Sequence, residues 1–294
     1  MPLKFEAISL DRQTDYLELL GRCPQVASDY SFLNIWAWAE EYGLLWAWDG
    51  LLVWLKQTRP REVLWAPIGP WEHVEWGSHW ISTVFRGSVF IRVPEKLADI
   101  WQSHLGQRIT VEPERGQWDY LYAARDLIDL PGNRFHKKKN LLNQFLKSYT
   151  YTYVDFGSKL IDQAMAMQED WCTWRDCESS DLLAAENRAI LRVLDNWNRF
   201  ESIMGGALFV DNIIVAYTLA EPLTADTLVI HFEKGCPAYK GGYQAINQMF
   251  LAHAADGYHF VNREQDLDNE GLRKAKLSYH PVEFLRKSKV SFPG

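Results

Sequence analysis

With 294 residues the chain is about twice the length of a typical domain, so two cores are expected. A composition of 47% hydrophobic and 23% charged residues is that of a folded protein and excludes intrinsic disorder. The formal net charge of -7 excludes broad electrostatic binding to DNA or RNA, which needs a basic footprint, and leaves only local contacts to nucleic acid.

The first residues, Met1-Pro2-Leu3-Lys4-Phe5-Glu6, lack the apolar core of a signal peptide. No uncharged run approaches the roughly 18 residues that span a bilayer. Cys23, Cys172, Cys177 and Cys236 are scattered and show no Cys-x-x-Cys spacing. Together these features predict a protein of the reducing cytoplasm. The fourteen Trp, thirteen Tyr and fourteen Phe are many for this length and are expected mainly in cores.

The first half reads as short strands separated by turns. Residues 44–48 and 51–55 flank Asp49-Gly50, a tight-turn pair, and predict a hairpin that a strand at 63–66 extends. Further strands are expected at 89–93 and 109–112, with helices at 72–83 and 95–105. Residues 118–130 read as a strand and its exit, and Pro131-Gly132-Asn133 breaks the chain into domains 1–130 and 131–294.

A helix follows, with Leu141, Leu142, Phe145 and Leu146 at helical spacing and Arg134, Lys137, Lys138 and Lys139 on its first turns. Cations at a helix start oppose the macrodipole, so an anionic ligand would relieve them; a solvated basic face is the equal alternative.

The second half predicts a strand at 151–155, helices at 158–175 and 181–200, and strands at 207–210, 213–220 and 227–233. A helix at 243–255 and a strand at 259–261 complete a β-α-β crossover after the antiparallel meander. Asp211-Asn212 is a two-residue turn. Ile246, Met249, Phe250 and His253 share one helical face, which makes His253 a core residue. Mixed strands and helices of this kind predict an α/β or α+β layered fold.

Two segments carry candidate chemistry. Cys236-Pro237-Ala238-Tyr239-Lys240-Gly241-Gly242 joins a strand to a helix, where free amides and the dipole can hold a phosphate or carboxylate. The glycines serve equally well to relieve crowding between helix and sheet. Asn262-Arg263-Glu264-Gln265-Asp266 spreads five polar residues beyond a buried strand. The acids Asp266, Asp268 and Glu270 face Arg273, Lys274 and Lys276 across a turn at Gly271, a layout suited to a zwitterionic or phosphate-bearing ligand. The alternative is an internal ion-pair network that fastens Tyr279-His280-Pro281 to the sheet. The eight histidines show no His-Glu-x-x-His spacing, so no metal is expected. Cys172 and Cys177 have no nearby His to act as base and read as incidental.

Arg134-Phe135-His136-Lys137-Lys138-Lys139-Asn140, Tyr239-Lys240-Gly241, Asn262 through Tyr279, and Phe32-Leu33-Asn34-Ile35-Trp36-Ala37-Trp38 together resemble the DUF2156 family, soluble relatives of the C-terminal domain of phosphatidylglycerol lysyltransferase. The resemblance covers nearly the whole chain. It implies tandem GNAT-like acyltransferase domains with mixed, largely antiparallel sheets, distantly akin to the Fem aminoacyltransferases. The implied reaction is attack of an amine or hydroxyl on an activated acyl or aminoacyl group. Its needs are positioning, a proton acceptor and donors to the developing oxyanion.

On that resemblance Glu264 and Asp266 are the candidate proton acceptors. Arg134, Lys137, Lys138, Tyr239, Lys240, Gly241, Gly242, Asn262, Arg263, Gln265, Asn269, Arg273 and Lys276 are candidates for holding the donor, in a cleft between Gly241 and Lys276. Ala238-Tyr239-Lys240-Gly241-Gly242-Tyr243 departs from the Gln/Arg-x-x-Gly-x-Gly/Ala loop of acetyl-CoA enzymes, which favours aminoacyl-tRNA over acyl-CoA as donor. The acceptor would be a small molecule, peptide or lipid. A non-catalytic ligand-binding or scaffold protein that kept the fold is the alternative.

Overall fold

In the computed structural model, which describes residues 3–294, the chain forms two compact units. Unit 1 runs up to Tyr120 and includes Gln265–Arg273 and Phe284–Gly294; unit 2 comprises Leu121–Glu264 and Lys274–Glu283. The division therefore falls at 120/121, inside a strand, and not at the Pro131-Gly132-Asn133 break expected between 1–130 and 131–294. Two C-terminal segments also return to unit 1, which a contiguous second domain does not allow.

The strands are β1 (Glu6–Ala7), β2 (Leu44–Trp48), β3 (Val53–Gln57), β4 (Val63–Ile68), β5 (Val89–Pro94), β6 (Thr110–Pro113), β7 (Asp119–Ala123), β8 (Tyr151–Asp155), β9 (Met204–Val210), β10 (Ile213–Pro222), β11 (Thr227–Gly235), β12 (Phe260–Asn262), β13 (Glu283–Leu285) and β14 (Lys287–Ser291). The α-helices are α1 (Gln13–Leu20), α2 (Phe32–Ala37), α3 (Ala39–Tyr42), α4 (His79–Val84), α5 (Glu95–Leu105), α6 (Ala124–Asp129), α7 (His136–Ser148), α8 (Ile161–Arg175), α9 (Asp181–Asp195), α10 (Gly242–Ala254) and α11 (Glu270–Leu277).

Two seven-stranded sheets result, ordered β1-β2-β3-β4-β5-β14-β6 and β13-β7-β12-β11-β10-β9-β8. Only β4 with β5 and β11 with β12 run parallel among the pairings described, so the expected α+β class with mixed, largely antiparallel sheets holds.

Unit 1 has an aromatic core: Trp46, Trp54, Trp65, Trp71, Trp76 and Trp101 are all buried. On α5, Leu97, Ala98, Trp101 and Leu105 form the buried stripe, and Trp101 meets Phe90 edge-on at 5.0 Å. Lys287 is fully buried and is met by the carboxylates of Asp29 and Asp119, while Arg92 holds Asp29 at 2.7 Å. A buried ammonium is tolerable only with such partners.

Several local expectations are corrected. The Asp49-Gly50 hairpin has a four-residue loop, because Trp48 pairs with Val53 and the Asp49 carboxylate accepts the amides of Leu51 and Leu52. The helix expected over 72–83 shrinks to α4, since Ser78 is extended and the Trp71 and Trp76 indoles bond to Pro67 and Trp71 carbonyls across the loop. On α10 the buried face is Ala245, Ile246, Phe250 and Leu251, leaving His253 exposed and stacked on Tyr153 at 4.3 Å. The turn expected at Gly271 is instead the first turn of α11, capped by the Asn269 side chain, which accepts from the Leu272 amide at 2.9 Å.

Cys172 and Cys177 are not incidental: they form a disulfide where α8 ends and the chain turns back through Asp176 in a left-handed conformation. Asp211-Asn212 does form the expected turn, with both residues at positive φ and Ile213 paired with Val210.

Gly241 is the N-cap of α10 at φ 88, and a Cβ there would overlap the Leu141 carbonyl oxygen of α7. Gly241→Ala is therefore expected to destabilise unit 2 by about 2 kcal/mol or more, read as a lower urea midpoint; an unchanged midpoint would show that α7 and α10 are free to separate.

Candidate functional site

In unit 2 the parallel pairing of β11 with β12 covers only Thr227–Val229 against Phe260–Asn262. Beyond it β11 runs on to Gly235 while the chain leaves β12 as a polar loop. Successive side chains on a strand point to opposite faces, so Glu233 and Lys234 take opposite sides, and a bulge against β10 leaves His231 as the extra residue. Asn262 is buried, and its Oδ1 accepts the Glu264 amide at 2.8 Å, which holds Glu264 at φ 56.

That turn aims Glu264 at His231, whose Nδ1 lies 2.8 Å from Glu264 Oε1 and whose Nε2 lies 3.0 Å from Glu221 Oε1. Burial alone would lower the His231 pKa, yet the hydrogen bonds to Glu221 and Glu264 outweigh it and lift it to about 9. His231 is then an imidazolium between two carboxylates. Glu264 is engaged by it, which weakens Glu264 as a free proton acceptor.

A second cluster stands beside it. Arg263 Nη2 donates to Glu233 Oε1 at 2.9 Å, and Glu233 Oε2 accepts from Asn247 on α10 at 2.9 Å. The Arg263 guanidinium lies 5.0 Å from the centre of the Tyr279 ring, and the Lys138 ammonium lies 4.0 Å from the same ring. Burial and then repulsion by Arg263 bring the Lys138 pKa down to about 8, against the attraction of Glu233. Arg263 itself is held charged, because Glu233 overcomes the cost of its burial. Lys276 donates to the Arg263 carbonyl, and Tyr122 Oη donates to the Lys276 carbonyl at 2.9 Å. Together they fix the backbone on which Arg263 sits. Two cations that repel one another around a ring make a place for an anion.

The remaining unit 2 candidates are less concentrated. Gly241 and Gly242 are buried, and Gly241 abuts α7, so crowding explains that glycine. Tyr239 packs against Tyr149 at 5.1 Å, and Lys240 and Lys137 are exposed. Arg134 pairs with Asp126 at 2.6 Å on the surface. Its carbonyl lies 3.1 Å from His280 Nε2.

Gln265, Asp266, Asn269 and Arg273 belong to unit 1. Asp266 is 0% exposed and accepts from Arg273 Nε and Nη2 at 2.8 Å each, from Arg115 at 3.2 Å and from Tyr120 Oη at 2.5 Å. Burial would raise its pKa, but hydrogen bonds from Arg273 and Tyr120 hold it at about 2, so it is a poor proton acceptor near neutrality. Arg273 also pairs with Asp268 at 2.7 Å, so its guanidinium is spent inside the chain. Gln265 donates to Ser28 Oγ at 3.1 Å, and Asn269 is the α11 cap. Within unit 1 this part of the segment forms an internal ion-pair network.

His231, Glu233, Asn247 and Tyr279 lie at the centre without having been singled out for a role. The signal was present: in Leu-Val-Ile-His-Phe-Glu-Lys, three polar residues interrupt the end of an otherwise apolar strand. Among the described residues no group of three His, Cys, Asp or Glu side chains could hold a metal ion, and no helix is long and apolar enough to cross a membrane.

Two outcomes follow from these pairings. Arg273→Ala should lower the melting temperature clearly more than Arg286→Ala, which breaks an exposed pair with Glu95 at 3.2 Å and a contact at 5.5 Å over the Trp118 ring. Equal melting temperatures for the two variants would show that Arg273 is free for a ligand. For His231 the folded pKa is raised, so its stabilisation is complete below the unfolded value of about 6.5 and is lost as pH rises through about 9. Denaturation from pH 6 to 10 should show this loss in the wild type and not in His231→Gln.

The α+β fold with two mixed sheets is shared with solved proteins. A conserved protein of unknown function from Bacteroides thetaiotaomicron is 27% identical, with a TM-score of 0.89 over 99% of each chain. The C-terminal domain of a putative lysylphosphatidylglycerol synthetase from Agrobacterium fabrum is 12% identical at a TM-score of 0.67, covering 97% of this chain and 93% of that one. L-PGS from Bacillus licheniformis is 14% identical at 0.65, covering 97% and 92%. These last two likenesses are of fold alone. An uncharacterised protein from Mycoplasmoides gallisepticum is 26% identical over 172 residues, 58% of this chain, and the chain spans about half of that relative's length, 54%. The family model described as phosphatidylglycerol lysyltransferase, C-terminal, matches residues 21–290, and the chain belongs to that family.

Proposed function

We propose that unit 2 transfers an aminoacyl group from aminoacyl-tRNA to an amine or hydroxyl of a small-molecule, peptide or lipid acceptor. The observation that carries this reading is the Lys138 and Arg263 pair around Tyr279, where burial and Arg263 act on the Lys138 charge more strongly than Glu233 supports it and an anionic group would restore balance. His136, Lys137 and Lys139 extend exposed basic groups from the same helix turns, which suits a phosphate backbone despite the acidic whole. The packing of Gly241 on α7 speaks against acyl-CoA, whose pyrophosphate would need that helix start open.

In the transfer, the acceptor nitrogen or oxygen bonds to the ester carbonyl carbon as the ester C–O bond breaks. The acceptor's proton ends on the departing ribose oxygen, so no external co-reactant is required. Family membership supports the aminoacyl group; the donor and acceptor themselves are part of the proposal.

A non-catalytic binding role is favoured by one observation: Glu264 and Asp266, the candidate bases, are both committed to internal partners. Native mass spectrometry against charged tRNA and acetyl-CoA separates the readings. Binding of tRNA with loss of its aminoacyl group supports transfer, tRNA binding without such loss supports the scaffold, and acetyl-CoA binding alone sinks the tRNA donor.

Lys138 must be protonated to grip an anion, so tRNA affinity should fall about tenfold per pH unit above its pKa of about 8. Lys138→Ala should bind more weakly at pH 7 and lose that slope. An affinity flat from pH 7 to 9.5 in the wild type would remove Lys138 from the donor site.

A further inference from the structure

Cys172 and Cys177 close a bridge across the end of α8, with their Cα atoms 5.0 Å apart. The corner also has hydrogen bonds of its own. α8 ends where Asp176 turns left-handed at φ 50 and its amide bonds to the Thr173 carbonyl. α9 starts where the Ser180 side chain accepts the Leu183 amide at 3.4 Å. One turn before the bridge, buried Gln168 donates to Asn187 of α9 at 3.0 Å and accepts from Tyr217 Oη of β10. These bonds keep the two sulfurs close whether or not they are joined, so a broken bridge can re-form. The sulfurs differ in access. Cys177 is buried and Cys172 is half-buried, so a thiol from solution reaches Cys172 first.

The residue before Cys172 links the bridge to the interior of unit 2. Trp171 is buried, and its Nε1 donates to Tyr243 Oη at 3.0 Å in the first turn of α10. Asn247 stands one turn further along α10 and donates to Glu233 Oε2 at 2.9 Å, and Glu233 Oε1 accepts from Arg263 at 2.9 Å. A continuous run of packed and hydrogen-bonded groups thus leads from the bridged end of α8 to the cation pair around Tyr279.

We propose that the bridge between Cys172 and Cys177 is a reversible redox clasp, opened by a small thiol reductant, whose state sets how firmly Arg263 is held for the donor. The reductant thiolate attacks Cys172 Sγ, the S–S bond breaks, and the electron pair leaves on Cys177 Sγ, which takes up a proton. A second reductant thiolate attacks the reductant sulfur of the mixed disulfide and releases Cys172 Sγ, which takes up the second proton. Two reductant thiols are oxidised to one disulfide as the bridge is reduced to two thiols. The last turn of α8 then loses its crosslink, and Trp171 loosens from Tyr243. The effect on the donor rests on the aminoacyl-tRNA reading of unit 2; the clasp itself does not.

Two measurements test it. Folded protein is treated with millimolar reduced glutathione, quenched in acid, then denatured, alkylated and weighed by mass spectrometry. Only Cys23 and Cys236 should be labelled before treatment, Cys172 and Cys177 as well after it, and Cys23 and Cys236 alone once oxidised glutathione is added. The far-UV circular dichroism should stay unchanged throughout. A bridge that opens only in denaturant, that does not re-form, or whose opening unfolds the chain overturns the clasp. In the second measurement, charged tRNA should bind the reduced protein about fivefold or more weakly than the oxidised protein. The double variant Cys172→Ser/Cys177→Ser should bind as the reduced protein does, with or without glutathione. Equal affinity in the two states, or a glutathione response that persists in the double variant, overturns the link to Arg263. Absence of tRNA binding in both states would sink the donor reading and that link with it, while the alkylation pattern would still decide the clasp.

Discussion

The parallel pairing of β11 with β12 stops after three residues, and the charge arrangement of unit 2 depends on where it stops. A strand that outruns its neighbour must satisfy its polar side chains by other means. His231 takes Glu221 and Glu264, Glu233 takes Arg263 and Asn247, and Lys234 takes Glu186. Partners thus converge on a short stretch of one strand from β10, α9, α10 and the exit of β12. Had the pairing continued, those positions would read as an ordinary buried strand.

The clusters differ in charge, and that difference assigns their roles. The Asp266 group of unit 1 balances two carboxylates against Arg273 and Arg115, and such a network fastens a segment. The His231 group sets one imidazolium between two carboxylates. Around Tyr279, by contrast, Arg263 repels Lys138 more than Glu233 attracts it. Local electropositivity in a chain of net charge -7 arises there. Arg263 and Arg273 illustrate the point: the same residue type ten positions apart faces a ring shared with a second cation in one case and two aspartates in the other.

Elements with a regular apolar period were legible before the structure. The α5 helix, the α9 stripe of Ala189, Ile190, Val193 and Leu194, and the β9 to β11 meander with its Asp211-Asn212 turn follow from local periodicity and turn chemistry. The α11 helix was not legible, because its apolar positions are few, its charge is high and Gly271 sits in its first turn. The Cys172 and Cys177 bond was missed for a related reason: a spacing of five becomes a bridge only when the chain reverses at a left-handed Asp176.

By itself the sequence determined the layered α+β class, the order of most elements, the family, and the concentration of polar chemistry after β12. These rest on properties that neighbouring residues express together. Tertiary structure alone decided which polar residues are spent and which are available. Asp266 and Arg273 satisfy one another and their unit 1 neighbours, whereas Lys138 meets Arg263 only because α7 packs on Gly241 and Tyr279 folds back between them. Charge pairing acts over a few ångströms in space, and separation along the chain carries no record of it.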